Sequence, residues 1–169
     1  MKNETKGIAP LILAVVVIVV VAVAGVGVYL ATRGGGTGGG GGDGTGGDVG
    51  SATSLSFDIT DTSQGMALAF KAKDIGSSSL KLRMEGTYSG AEFVCILNGA
   101  LQKCWVSYGG GTLIESDTLF QSLWDTFSTA FSEYQTDLAS WTSGNIVAGT
   151  VTISNIQVNP TLADTLFTH

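Results

Sequence analysis

Residues 8–31 read IAPLILAVVVIVVVAVAGVGVYLA, a run of 24 residues without a charged side chain. A helix of this length rises about 36 Å, at about 1.5 Å per residue, and the hydrocarbon core of a bilayer is about 30 Å thick. A cleaved secretory signal has a shorter apolar core, of roughly 7–15 residues, and a small-residue cleavage site after it. The run therefore predicts an uncleaved signal-anchor, a single membrane-spanning helix.

The sequence next to this run indicates how the chain is organised. Residues 34–50 read GGGTGGGGGDGTGGDVG, with 12 glycines in 17 positions, a composition that behaves as a flexible tether. Lys2 and Lys6 precede the run and Arg33 alone follows it, which favours a cytoplasmic N-terminus. We expect a single-pass protein of the cell membrane with four parts: a cytoplasmic N-terminus (1–7), a transmembrane anchor (8–32), a Gly-rich linker (33–50) and an extracellular or periplasmic domain (51–169).

Composition and motifs exclude several classes of function. The net charge of −6 argues against a nucleic-acid partner, since such binding depends on neutralising phosphates. The only histidine is His169, and the distal domain has no nucleophile elbow, clustered carboxylate motif or phosphate loop. We therefore expect no enzyme, no catalytic residue, no metal site and no cofactor.

The distal domain begins with an alternation of apolar and polar residues. Leu55, Phe57 and Ile59 alternate with polar side chains, and the pattern resumes over residues 66–70 and 80–84. A period of two predicts an antiparallel meander with one apolar and one solvated face. The solvated strands carry a basic group, which predicts either an ordinary wet sheet face or a contact with anionic lipid headgroups: Lys71, Lys73, Lys81 and Arg83.

The two cysteines flank a predicted hairpin. Residues 93–97 are apolar at both parities, which predicts a central strand covered on both faces. A type I′ turn at Asn98-Gly99 would make Cys95 and Cys104 diagonal neighbours, whereas a type II′ turn at Gly99-Ala100 would place them directly opposite. An even pair in an exported domain suggests a disulfide, and two buried free thiols are the alternative.

A helical period follows the three glycines at 109–111. Large apolar residues recur at spacings of 4, 3, 4, 3, 4 and 3, which predicts a helix over 116–142 that begins at Ser116 or Asp117 and ends at Gly144. This face either packs on the apolar side of the sheet or lines a cavity for an apolar ligand. Its residues are Phe120, Trp124, Phe127, Phe131, Tyr134, Leu138 and Trp141.

The last segment predicts a strand and a short helix. Ile146, Val147, Val151 and Ile153 are followed by Ile156 and Val158, so the in-facing parity changes at Ser154-Asn155 and indicates a β-bulge. After Asn159-Pro160, a turn and a short helix would dock three apolar side chains: Leu162, Leu166 and Phe167.

Three segments carry a resemblance to a known family. VTISNIQVNPTLADTLF (151–167) resembles the closing strand and tail of the LolA-like lipoprotein-localisation fold, and SSLKLRMEG (78–86) with EFVCILNGALQKCWVSY (92–108) is similar to its middle. In that family a bent antiparallel sheet is lidded by helices, and its concave apolar face binds acyl chains of lipids or lipoproteins. For the distal domain the resemblance implies a bent antiparallel half-barrel sheet packed on one long amphipathic helix. Together with the anchor predicted from residues 8–31, the expected fold class is α+β: an N-terminal transmembrane helix plus this LolA-like domain.

The same resemblance implies the function. We expect a membrane-anchored extracytoplasmic module that binds a lipid or a lipid-modified protein in an apolar cavity between sheet and helix. The candidate cavity residues are Phe70, Leu82, Met84, Phe120, Trp124, Phe127, Phe131 and Tyr134. The segment KGIAP (6–10) also resembles the prepilin signals of archaeal type IV pilins, where cleavage would follow Gly7. A structural surface protein, such as a pilin-like subunit or an adhesin tip, is therefore the alternative.

Overall fold

The computed structural model describes residues 51–138 and 146–169, which form one antiparallel sheet of eight strands with one α-helix and one 3-10 helix. The strands are β1 (Ser54–Asp61), β2 (Met66–Lys73), β3 (Lys81–Tyr88), β4 (Ala91–Asn98), β5 (Lys103–Tyr108), β6 (Ile114–Glu115), β7 (Ile146–Ala148) and β8 (Val151–Val158). The helix α1 spans Asp117–Leu138, and the 3-10 helix spans Asp164–Phe167.

The order of the strands places β6 and β7 at opposite edges of the sheet. The order is β6-β5-β4-β3-β2-β1-β8-β7, so β1 to β6 form a meander and β8 returns beside β1. The chain therefore passes from one edge to the other between β6 and β7, and α1 is the described part of that connection. Its 22 residues rise about 33 Å, and eight strands about 4.8 Å apart are roughly 34 Å wide.

Alternating burial gives the sheet an apolar inner face. In β1 the buried residues alternate with half-buried ones, and the alternation predicted from the sequence for β1, β2 and the first half of β3 is confirmed. Phe57 and Phe70 stack across β1 and β2 with ring centroids 4.6 Å apart. The buried side chains of this face and of α1 form one cluster, which we call the inner core.

The outer face is covered at β4, as predicted for a central strand. Cys95 and Leu97 belong to the inner core, while Ile96 between them packs on the other side with Trp105 and Phe167. Phe167 comes from the C-terminal strap, a name we use for residues 159–167. The predicted docking of Leu162, Leu166 and Phe167 is confirmed, because all three belong to this outer cluster.

A β-bulge interrupts β8 where the parity of the sequence changes. Ser56 pairs with Gln157 and Asp58 pairs with Ser154, so two residues of β8 oppose Phe57 alone. Asn155 has φ 54°, and its Nδ2 donates to Asp58 Oδ2 at 2.6 Å. The predicted bulge is confirmed. The predicted single strand over 146–158, however, is divided by a turn at Gly149-Thr150.

The predicted fold class is wrong. The described residues are mostly antiparallel sheet, and their one α-helix, α1, is described over Asp117–Leu138. The contacts described for α1 are mainly with β5 and β4, near one edge of the sheet. The physical reason lies in which residues are buried: the inner core takes Leu119, Phe120, Leu123 and Phe127 from the first three turns, while Trp124 is only half buried.

Several predictions fall on residues outside the described ranges. They are the N-terminus 1–7, the anchor 8–32, the linker 33–50, Trp141 and the helix end at Gly144. Within 51–138 and 146–169, no helix is both long enough and apolar enough to cross a membrane.

Both predicted registers of the β4–β5 hairpin are wrong. Leu97 pairs with Cys104 and Asn98 with Lys103, so the loop has four residues, 99–102. Asn98 is held in the strand because its Oδ1 accepts from the Leu101 amide at 3.1 Å and its Nδ2 donates to the Phe167 carbonyl at 3.0 Å. Within the loop, Gln102 has a positive φ, at 55°. A two-residue turn would instead need a positive φ at one or both of its own central residues.

Candidate ligand-binding face between sheet and helix

Five of the eight candidate cavity residues are brought together in the inner core. Phe70 pairs with Met84 across β2 and β3, and Leu82 is the next in-facing residue of β3. Phe120 and Phe127 of α1 join the same cluster. Phe131 and Tyr134 lie further along α1, beyond its described side chains. The alternation of the strands and the helical period, read separately, therefore point to one common apolar face.

The start of α1 is fixed to the sheet by the segment before it. The Ser116 amide donates to the Cys104 carbonyl at 2.9 Å, and Ser116 Oγ accepts from the Leu119 amide at 3.3 Å. Ser116 is therefore the N-cap, one of the two caps expected from the sequence. Asp117 in the first turn adds a carboxylate at the positive end of the helix dipole.

Two leucines of α1 were missed as members of this face. Leu119 and Leu123 are 6% and 0% exposed, as deeply buried as Phe120 and Phe127. They lie four residues apart and so share a helix face. Their spacing of four was visible in the sequence. The predicted face was chosen from the aromatic residues that include Trp124, however, and the buried face is rotated from it toward the two leucines.

Trp124 lies at the border of the face. It stacks on Phe120 with ring centroids 5.6 Å apart and is half buried. Its ring also lies against Gly99 in the β4–β5 loop, since a Cβ at residue 99 would be 2.5 Å from Trp124 Cη2. Trp124 therefore closes the gap between the helix and the hairpin loop.

The face is closely packed where the candidate residues lie. Leu82 and Met84 have 0% exposure, so no space as large as a water molecule adjoins them. The side-chain hydrogen bonds described for α1 run to its own backbone, from Ser122 to Thr118, from Thr126 to Ser122 and from Ser128 to Trp124. Apolar contacts, which have no preferred direction, hold the described side chains of α1 to the sheet. A ligand would reach this face by displacing α1.

Cys95 and Cys104 lie beside each other within the inner core. Both are buried free thiols. A hydrogen bond with the Cys104 thiol, together with burial, raises the pKa of Cys95 well above its ordinary value. The raised pKa keeps the Cys95 thiol protonated and unreactive in the folded domain, and burial shields both sulfurs from reagents.

The basic group on the outer face is neutralised by carboxylates. Lys71 and Arg83 both pair with Glu85 at 2.7 Å, and Lys81 pairs with Asp74 at 3.1 Å and Asp164 at 2.8 Å. Desolvation opposes ionisation of Glu85, but its hydrogen bonds with Lys71 and Arg83 outweigh that effect and lower its pKa. A hydrogen bond with Asp164 raises the pKa of Lys81. These cations form an ion-paired sheet surface.

The same outer face receives the C-terminal strap through its main chain. Side-chain donors reach three strap carbonyls: Lys73 Nζ to Leu162 at 3.0 Å, Arg83 Nη1 to Leu166 at 3.0 Å and Asn98 Nδ2 to Phe167 at 3.0 Å. The sequence had indicated a docked tail but not these donors, because Asn98 looked like a turn residue and the cations looked solvated.

Within residues 51–138 and 146–169, no group of three or more His, Cys, Asp or Glu side chains is placed to hold a metal ion. Comparisons of the chain with protein-family models, with curated proteins and with solved structures give no match. The resemblances to the LolA-like family and to archaeal pilin signals stay predictions.

Proposed function

We propose that this chain is a membrane-anchored module whose extracytoplasmic domain binds an acyl chain, of a lipid or a lipid-modified protein, between the inner face of the sheet and α1. The observation that carries the proposal is the position of α1. It belongs to the connection between the two edges of the sheet, and its described side chains meet the sheet through apolar contacts.

Apolar contacts of this kind suit exchange with an acyl chain. When a ligand chain replaces a helix side chain, apolar surface stays buried at about 25 cal/mol per Å², and the hydrogen bonds of Ser122, Thr126 and Ser128 to the helix backbone are kept. Met66 and Met84 contribute flexible thioether chains to the same cluster, and methionine adapts readily to irregular apolar partners. We expect binding to move α1 while the sheet stays in place.

The predicted anchor gives the binding a location. The run over residues 8–31 would hold the domain at the bilayer, and the Gly-rich segment 34–50 has a root-mean-square span of roughly 20–25 Å. A tethered domain of this reach serves lipid sensing or handover close to its own membrane rather than transport across a compartment.

Photo-crosslinking tests the proposal on the full chain in phospholipid nanodiscs. A palmitic acid with a mid-chain diazirine is added, irradiated and mapped by peptide mass spectrometry, with unlabelled palmitic acid as competitor. We expect saturable, competed labelling within residues 66–84 and 116–138. Exposed Leu101 and Ile114 report non-specific labelling. Labelling confined to them and to residues 8–31, or labelling that is not competed, would contradict the proposal.

A second candidate function is a structural surface protein, such as a pilin-like subunit or an adhesin tip. The close packing around Leu82 and Met84 favours it, since a domain that only presents a surface needs no space in its core. N-terminal sequencing of the mature protein separates the pilin version from the first proposal. A pilin-like subunit would begin at Ile8, whereas the uncleaved anchor keeps residues 1–7.

A further inference from the structure

The register of β4 and β5 places Cys95 and Cys104 on the same face as diagonal neighbours. Cys95 pairs with Val106 and Cys104 pairs with Leu97. Diagonal neighbours in a sheet lie about 7–8 Å apart, just above the usual Cα–Cα range of a disulfide, about 4.4–6.8 Å, so a bond needs a small shift of the two strands. Both side chains nevertheless lie in the inner core, and the Cys104 thiol raises the pKa of Cys95, so the two side chains are neighbours across the strand pair.

We propose that Cys95 and Cys104 are a disulfide-forming pair, which is oxidised while the β4–β5 hairpin is still open and is then sealed beneath α1. The proposal is independent of ligand binding. It stands on the shared face of β4 and β5, on the common place of both cysteines in the inner core and on their burial, with exposures of 1% and 0%. An extracytoplasmic domain would meet disulfide-bearing oxidants during export.

The reaction is a thiol–disulfide exchange with an oxidant R–S–S–R. The Cys95 thiolate attacks one sulfur of the oxidant and releases R–S⁻, which leaves a mixed disulfide on Cys95. The Cys104 thiolate then attacks Cys95 Sγ, forms the Sγ–Sγ bond and releases the second R–S⁻. The two cysteine thiols lose two protons and two electrons, and the oxidant is reduced to two thiols.

Burial sets the order of events. In the folded domain the inner core excludes an oxidant from both sulfurs, and the raised pKa of Cys95 keeps its reactive thiolate scarce. Oxidation must therefore precede closure of the hairpin under α1 or follow its opening. Once formed, the bond would be shielded from reductants by the same residues.

Redox equilibration of the full chain in detergent tests whether the native geometry accepts the bond. The chain is equilibrated in glutathione buffers of graded ratio, in native buffer and in guanidinium chloride, then acid-quenched, alkylated with N-ethylmaleimide and weighed intact. If the fold brings the thiols together, folding raises the equilibrium constant for oxidation by at least about tenfold. An equal or lower constant in native buffer would overturn the proposal.

A matched variant distinguishes the effect of the native geometry on oxidation from the effect of two cysteines that lie close in the sequence. C104A/S107C moves the second cysteine to a position whose side chain faces outward, since Ser107 pairs with Val94 on the other side of the sheet from Cys95. Its denatured chain still closes a short loop, but its native state keeps the sulfurs on opposite faces. We expect folding to lower the oxidation constant of this variant. A rise as large as in the natural chain would also overturn the proposal.

Discussion

The indole ring of Trp124 lies on Gly99, so close that a Cβ at residue 99 would be 2.5 Å from Trp124 Cη2 and 2.8 Å from the Ser78 carbonyl oxygen. The β4–β5 loop thus has no room for a side chain at this position. The contact joins α1 to the hairpin and sets how closely the helix approaches the β4–β5 loop.

Gly99→Ala should destabilise the domain by about 1–3 kcal/mol, the usual cost of overpacking. The added methyl must displace either the Trp124 ring or the loop, so guanidinium unfolding and tryptophan fluorescence should both change. Gly111→Ala is the matched control, since its Cβ would meet only the Tyr108 carbonyl at 3.7 Å, an ordinary contact. If both variants unfold like the natural chain, Trp124 does not lie against Gly99.

Gly86→Ala should cost more, about 3 kcal/mol or above. Gly86 has φ +149°, and a Cβ there would overlap the Ala67 carbonyl oxygen and lie 3.0 Å from Leu68 Cα on the neighbouring strand. Gly90→Ala isolates the backbone contribution, because Gly90 has φ +79° but open space around it, and should cost about 1–2 kcal/mol. Equal costs in chemical denaturation would mean that β2 and β3 do not approach so closely.

Phe167→Ala tests the C-terminal strap. Phe167 is completely buried against Ile96 and Trp105, so its truncation should cost about 3–5 kcal/mol and alter the emission of Trp105. Leu101→Ala removes an apolar side chain that is 51% exposed and should change the free energy of unfolding by about 0.5 kcal/mol or less. A Phe167→Ala variant as stable as Leu101→Ala would show that the strap is not docked.

Asp61 gives the domain a dependence on acid pH. The Ser63 hydroxyl donates to Asp61 Oδ1 at 2.7 Å and the Ser63 amide at 2.9 Å, and the hydroxyl bond is the main cause that lowers the pKa of Asp61. A carboxyl with a lowered folded pKa stabilises the fold above its unfolded pKa, about 3.9, and loses that contribution as pH falls through the folded value.

Asp61→Asn should therefore be about 1 kcal/mol less stable than the natural chain at pH 7, and this difference should shrink below about pH 3. Ser63→Ala should reduce the same pH dependence while keeping the carboxyl. Denaturant midpoints measured from pH 7 to pH 2.5 check both. A difference that is constant across this range would contradict the assigned role of the Asp61 charge.

The local parts of the fold could be predicted from the sequence. The period of two located β1 to β3, the apolar run over 93–97 located β4, and the change of parity at Ser154-Asn155 identified the bulge, because side-chain alternation and burial are set by neighbouring residues. The candidate residues Phe70, Leu82 and Met84 were found in the same way, as the apolar side of their strands.

The wrong predictions depended on distant partners. Asn98 looked like a turn residue, but it donates to Phe167, which lies 69 positions away, and this fixes a longer loop. The two-residue strand β6 has no period to detect, and it forms only because β5 offers an edge. β8 pairs with β1, so the chain crosses from one edge of the sheet to the other. This pairing depends on tertiary contacts, and no local sequence pattern encodes it.

Single-tryptophan quenching tests the proposed acyl-chain binding most directly. A brominated fatty acid is titrated into the full chain in detergent, using W105F/W141F to leave Trp124 and W124F/W141F to leave Trp105. Trp124 borders the inner face, whereas Trp105 lies on the outer face under the strap. Saturable quenching of Trp124, reversed by unbrominated fatty acid and absent for Trp105, is the predicted result. Equal quenching of both, or no saturation at Trp124, would contradict binding between the sheet and α1.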